Sequence, residues 1–364
     1  MKLMMNLSML GARPTGLGVY SENCSFGIAR RFEVSLIAGG GLVPRGTVVA
    51  RAPASVTIGA GRFSSVLRQF WMRSICLDES ANLVYSPTHH GLPKHNGQII
   101  TVHDLICLRF PSQHRPQYLF FRFGLPRLLK RCRAVFTVSE TTRKDIADTY
   151  GFPLEKIHVV PNGVDASAFW PDVSARPAEP YLLMVGARYE HKNVEEVLEV
   201  ASCWRDNYRL IITSCGGRYR QRLESKVLTA GLSDRVEFKD YLSREELLRL
   251  YQGASALVYP SKWEGFGIPP LESLACGVPV IASDIPVHRE VLGSAVQFVS
   301  LGDADSWAKA IRALGDEAYI KTQMDQAQTL LKKYTWDHAV DALERALLAV
   351  EPRLEASRSK LAAI

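Results

Sequence analysis

The stretch Ser261-Lys-Trp-Glu264-Gly265-Phe266-Gly267-Ile268-Pro269-Pro270-Leu-Glu272-Ser-Leu-Ala-Cys-Gly-Val-Pro-Val280 decides the fold. Before it, the run Ala-Leu-Val-Tyr at 256–259 is short and apolar and ends at Pro260, so it reads as a buried strand that delivers Glu264. Gly265 and Gly267 let the backbone pass close to a ligand, and Pro269 and Pro270 fit the first turn of a helix carrying Glu272. An apolar Val-Pro-Val-Ile-Ala strand follows at once. The helix start, with its dipole and N–H groups, suits a diphosphate. Two carboxylates beside a diphosphate would repel it, so they are expected to accept hydrogen bonds from sugar and ribose hydroxyls instead.

Glu264 and Glu272, eight positions apart, with Gly-Phe-Gly-Ile-Pro-Pro-Leu-Glu and Ala-Cys-Gly-Val-Pro-Val around them, resemble the E-x7-E signature of the family-4 retaining glycosyltransferases. That resemblance implies the GT-B fold: two Rossmann-like, doubly wound parallel-sheet α/β domains with a cleft between them. It also implies a sugar moved from a nucleoside diphosphate donor to a hydroxyl. Taken alone, the stretch also fits a tight strand-turn-helix connection with Glu272 as a first-turn charge.

A chain of 364 residues is too long for one compact core and implies two domains. Strands are expected near 4–10, 33–37, 82–85, 98–103, 134–138 and 157–160. In the second half they fall near 181–186, 209–213, 235–238, 255–259, 279–282 and 296–299, alternating with helices throughout. The proline-bearing segment 171–180 reads as the linker, giving an acceptor domain at 1–172 and a donor domain at 173–335. A helix from Trp336 to Ala349 lies in a tail, 336–364, that GT-B proteins return to the first domain.

In an open parallel sheet ligands bind beyond the carboxyl ends of the strands. The first strand is followed by a loop containing Thr15, Gly16 and Gly18, which by itself reads as a tight strand-to-helix turn. Ser21 stands where a dinucleotide fingerprint needs its third glycine. By resemblance this loop closes over the donor diphosphate and the acceptor. Later loops supply His89, His103 with Asp104, and Ser139. The pair His103-Asp104 is similar to the family's His-Asp pair beside the donor sugar and acceptor hydroxyl; alone, such a histidine more often caps a strand end. Thr15, His89, Asp104 and Ser139 are the acceptor-side candidates.

Arg188 and Lys192 precede a helix whose expected N-cap is Asn193, with Glu196 completing a capping box. Two cations four positions apart can hold a leaving diphosphate without a metal, and the family carries the same pair in that role. Surface pairing with Glu190 or Glu195 is the plain alternative. The family commonly has a glycine after the strand that ends here in Phe238-Lys-Asp240-Tyr241. Asp240 could accept from the N–H edge of a guanine, or simply face outward before a helix starting near Ser243.

No metal or other cofactor is expected. His89, His90 and His95 fit no common ligand spacing, and Asp303-Ala-Asp305 reads as a helix cap rather than a metal motif. Seven scattered cysteines without a C-x-x-C pair point to a reducing compartment. No apolar run reaches eighteen residues, and the opening Met1–Leu10 reads as a strand rather than a leader, so a cytoplasmic location is expected. Residues 1–175 hold 20 basic and 11 acidic residues, a balance of +9, against −2 for the remainder. This basic half, with Arg122, Arg127, Lys130, Arg131 and Arg133 around Leu125, Leu128 and Leu129, suits either an anionic membrane or a solvated helix face.

Similar chains assemble bacterial envelope polysaccharides, many from GDP-mannose. The resemblance therefore implies a hexose, mannose above all, moved to a glycan or polyprenyl-diphosphate-linked acceptor, with no nucleic-acid partner. UDP-sugar donors, epimerising or hydrolysing enzymes of the same fold, a dinucleotide oxidoreductase and a non-catalytic sugar-binding protein are the competing readings.

Overall fold

The computed structural model describes residues 1–11, 16–56, 64–80, 82–165, 167–240 and 242–358. The chain divides into two compact units, each described by itself: unit 1 is Met1–Gly163 with Trp336–Ile364, and unit 2 is Val164–Thr335.

Unit 1 is built on seven parallel strands: β1 Lys2–Leu7, β2 Val34–Ala38, β3 Thr47–Arg51, β4 Asn82–Ser86, β5 Gln98–Thr101, β6 Cys132–Thr137 and β7 Ile157–Val159. They lie in the order β3-β2-β1-β4-β5-β6-β7. Buried on both faces, β1 and β4 to β6 are near-continuous apolar runs, as a helix-covered parallel sheet requires. β3 lies outside the expected strands. It is an edge strand with Val48 and Val49 exposed, so it lacks the buried run that identifies the others. Helix Trp336–Val350 packs on helix Gly16–Arg31 within this unit: Val340 sits where a Gly27 side chain would be, and Arg31 pairs with Asp341 at 2.6 Å and Glu344 at 2.5 Å.

Unit 2 has six parallel strands: β8 Tyr181–Met184, β9 Arg209–Thr213, β10 Val236–Lys239, β11 Ala256–Tyr259, β12 Val280–Ser283 and β13 Gln297–Val299, in the order β10-β9-β8-β11-β12-β13. Its core joins Leu182, Leu210, Ile212 and Val258 to two buried tryptophans, Trp204 and Trp307. Their indole N–H groups donate to the Val197 carbonyl and the Glu196 carboxylate.

The boundary falls at 163/164 instead of 172/173. Val164 donates its N–H to the Tyr334 carbonyl, Phe169 packs edge-on against Tyr251, and Gln252 donates to the Trp170 carbonyl. Residues 164–180 are therefore part of unit 2, and the proline-rich stretch is no inter-domain linker. The expected basic helix is also interrupted. A π-helical turn, Phe120–Gly124, precedes a short helix, Leu125–Leu129, while Arg133 lies on β6 and pairs with Glu351.

Candidate donor site at the unit 2 switch point

Strand order reverses between β8 and β11 in unit 2, and between β1 and β4 in unit 1. At such switch points the loops beyond the strand ends diverge and leave room for a ligand.

In unit 2, β8 ends at Met184 and leads through Gly186, whose φ of 72° suits glycine, into residues 187–193. β11 ends at Tyr259 and leads to Glu264. The two loops are tied by the Lys262 N–H donating to the His191 carbonyl at 2.8 Å. Across this tie Lys192 Nζ meets Glu264 Oε1 at 2.5 Å and the Tyr259 hydroxyl at 3.1 Å. Burial alone would raise the Glu264 carboxyl, but the charges of Lys192 and His191 prevail and hold it down to about 2. Lys192, opposed by the same burial, is raised by Glu264 and Tyr259. Both side chains are therefore ionised at neutral pH. A lysine has three N–H donors, and two are engaged here. The third can meet a phosphate oxygen.

Arg188 is exposed, lies over the Tyr189 ring at 5.7 Å and has no carboxylate partner among the described residues. Glu190 and Glu195 both pair with Arg222, each at 2.8 Å, so they do not neutralise Arg188 or Lys192. The expected capping box at Asn193 does not form. Asn193 adopts a left-handed conformation without a side-chain cap, and Glu196 instead accepts from the Gly302 N–H and Trp307.

Helix Ile268–Ala275 has Gly267 at its N-cap with φ 100°. Pro269 and Pro270 fill its first turn and carry no N–H, so the amides this end can offer a ligand come from the Gly265–Ile268 loop. Glu272, one turn in, accepts from the buried Tyr251 hydroxyl at 2.7 Å. Burial pushes its carboxyl up to about 7, against the pull of Tyr251 and Arg244. Phe266 is buried edge-on against Tyr334. Asp240 is exposed at the end of edge strand β10 and pairs with Arg220 at 2.5 Å; Ser243 caps the next helix in a true capping box. Asp303 caps helix Ala304–Ala313.

Unit 1 gathers its candidates less tightly. Thr15 lies outside the described residues; Gly16 opens helix Gly16–Arg31, with Gly18 in its first turn. His103 Nε2 lies 2.9 Å from the Pro87 carbonyl, which can only accept, so Nε2 carries the proton and Nδ1 the lone pair. Its ring meets Tyr20 edge-on at 4.6 Å, and burial lowers its pKa to about 4. His103 is a neutral hydrogen-bonding group at pH 7 rather than a strong base. His89 is buried against His90, Phe120 and Phe121. Asp104 accepts from the Ile106 N–H and Ser139 caps helix Glu140–Tyr150, so both serve local structure. Tyr259 and Tyr251 were not anticipated as partners of the two glutamates. Tyr259 was visible as a polar tip closing an otherwise apolar strand, whereas Tyr251 carries no local mark.

Two doubly wound parallel-sheet units, one with the Lys192–Glu264 pair across its switch point, are the architecture of the GT-B fold. Residues 14–168 match the family model "Glycosyltransferase Family 4" and residues 168–333 match "Glycosyl transferases group 1". The O-antigen chain mannosyltransferase RfbU of Salmonella typhimurium is 43% identical over 225 residues, 62% of this chain and 63% of that protein. The match thus spans under two thirds of that relative's length. O-antigen chain mannosyltransferase B of Escherichia coli is 25% identical over 301 residues, 77% of each chain. Among solved structures, sucrose-phosphate synthase from Thermosynechococcus elongatus shares the fold at TM-score 0.71 and 19% identity, covering 98% of this chain and 100% of that one. WaaG, a glycosyltransferase involved in lipopolysaccharide biosynthesis, does so at 0.67 and 14%, covering 96% and 99%. The chain belongs to the family-4 glycosyltransferases.

Proposed function

We propose that this chain is a retaining, metal-independent mannosyltransferase that uses GDP-mannose and extends a polyprenyl-diphosphate-linked glycan. The Lys192–Glu264 pair at the switch point carries the reading, because it supplies a cation for the leaving diphosphate beside a carboxylate for sugar hydroxyls. The sugar follows from the O-antigen mannosyltransferases among the relatives. Arg188, Lys192 and the helix end at Gly267 stabilise the diphosphate as the anomeric bond breaks. A diphosphate oxygen takes the acceptor hydroxyl proton on the same face, so configuration is kept. Glu264 and the Gly265–Ile268 amides hold the sugar, and Glu272 holds the ribose. His103 accepts from the acceptor hydroxyl through Nδ1. Asp240 at the edge of β10 is the candidate reader of the base.

No helix among the described residues is long and apolar enough to cross a membrane. Unit 1 instead offers a ridge, Arg115, Leu119, Arg122, Phe123, Arg127 and Lys130, all exposed. These cations have no ion pair among the described residues. An anionic cytoplasmic leaflet is its proposed contact.

Purified protein incubated with GDP-mannose or UDP-glucose and a synthetic polyprenyl-diphosphate glycan tests this directly. Mass spectrometry should find one added hexose from GDP-mannose, in EDTA as well as without it, and NMR should find the α-anomer. Transfer from UDP-glucose alone would replace the donor assignment; released mannose without transfer would make the protein a hydrolase.

A further inference from the structure

Arg68 is 5% exposed, and no carboxylate pairs with it among the described residues. Its Nε donates to the Val56 carbonyl at 2.7 Å, and Nη1 lies 3.3 Å from the Met9 sulfur, a weak acceptor. Two of five N–H donors are thus engaged, and neither partner is charged. An uncompensated ion taken out of water costs several kcal/mol, which is why buried charges are normally paired.

Its place in the fold is as telling as its isolation. Met9 follows β1 and Val56 follows β3, and burial, with the nearby charge of Arg68 added to it, lowers the pKa of His90, which follows β4. The guanidinium therefore stands beyond the carboxyl ends of the strands at the unit 1 switch point, the position where such sheets bind ligands. The segments after the first four strands, residues 8–15, 39–46, 52–63 and 87–97, contain no aspartate or glutamate but do contain Arg13, Arg45, Arg62 and Lys94. Among the described residues no carboxylate stands as its counter-ion.

We propose that Arg68 receives the diphosphate of a lipid-linked acceptor, so that unit 1 holds its substrate by the phosphate as well as by the sugar. This rests on the acceptor class proposed above. Asn6 ties β1 to the end of β4 and the segment after it, donating to Ser86 Oγ at 3.1 Å and to the His90 carbonyl at 2.8 Å. A planar guanidinium can bind two phosphate oxygens at once, which a lysine cannot.

The test is thermal shift and calorimetric titration with farnesyl diphosphate and with inorganic pyrophosphate, in saturating GDP so that the nucleotide site is filled. The wild type should be stabilised by farnesyl diphosphate, and pyrophosphate should bind at least about tenfold more weakly. Arg68→Met should melt at or above the wild-type temperature without ligand, because it removes an unpaired buried charge, and should lose the ligand-induced shift. Arg68→Lys should retain part of it. In turnover, Arg68→Met should raise the acceptor KM at least about tenfold and leave the donor KM unchanged. Equal shifts in wild type and Arg68→Met would overturn the proposal, as would a lower melting point with an intact ligand shift. Equal affinity for pyrophosphate would overturn the lipid-linked assignment. Failure of sugar transfer with every donor would overturn the transferase reading yet leave the binding difference standing.

Discussion

Both units wind their strands in the same order about a switch point, yet they treat charge in opposite ways. Unit 2 holds 20 basic and 23 acidic residues, and unit 1 holds 24 and 14. At the unit 2 switch point Lys192 and Glu264 neutralise each other, while Arg222 takes up Glu190 and Glu195. At the unit 1 switch point Arg68 has no such partner among the described residues, and the segments that follow the first four strands carry no acidic residue. A self-paired site can be dry and ordered without ligand. A single-sign site stores an electrostatic deficit that only an anion relieves. Substitutions should therefore act on stability and activity together in unit 2, and separately in unit 1.

The strongest challenge to that contrast is Lys192→Ala. It leaves Glu264 buried and unpaired, so stability should fall by about 3–5 kcal/mol in denaturant unfolding. Turnover should fall by about 10³-fold. The double change Lys192→Met with Glu264→Gln should recover the stability and none of the turnover. An unchanged denaturation midpoint in Lys192→Ala would mean that the pair does not hold the two loops.

Next in size is His103→Phe, expected to lower kcat by about 10²-fold with little change in donor KM. Because burial holds this imidazole near 4, it stays neutral across pH 6 to 8. A pH–rate profile whose inflection near 6.5 vanishes in His103→Phe would contradict the assigned environment.

Glu272→Gln should raise the donor KM about tenfold. In the wild type the ionised carboxylate is the better acceptor for ribose hydroxyls, so the donor KM should fall as pH rises through about 7, and the variant should lack this step. The sign for stability is opposite. Between 4.5 and about 7 the folded state keeps a proton that the unfolded chain has lost, so stability falls as pH rises through that window. Urea midpoints at pH 5 and pH 8 check it.

The smallest effect belongs to the unit 1 ridge. Arg122→Gln should weaken sedimentation with phosphatidylglycerol vesicles by about 1 kcal/mol, without moving the melting point. Equal loss on phosphatidylcholine vesicles would remove charge from the explanation.

Legibility in the sequence follows the same divide. The other twelve strands announced themselves as apolar runs, and Glu264 and Glu272 by spacing and flanking glycines. Edge strand β3 did not, because half-exposed Val48 and Val49 alternate with nothing. Segment 164–180 looked like a linker from its prolines, since its attachments, Phe169 on Tyr251 and Trp170 on Gln252, are long-range. The capping box at Asn193 failed for a related reason: Glu196 is engaged by Gly302 and Trp307 from far along the chain. Arg68 was invisible. A lone arginine in a helix reads as a solvated face until the fold shows which side it buries.

The chain crosses between units twice, at 163/164 and at 335/336. Unit 2 is thus an insertion within unit 1, and synthesis order matters. All of unit 2 is translated before helix Trp336–Val350, so the face of helix Gly16–Arg31 that receives Val340 waits uncovered while residues 32–335 are made, on the order of 15–60 s. Gly27 and Arg31 lie on that waiting face. A released chain truncated after 335 should hold a folded unit 2 and a sticky, protease-sensitive unit 1, making helix Trp336–Val350 the commitment step of biogenesis.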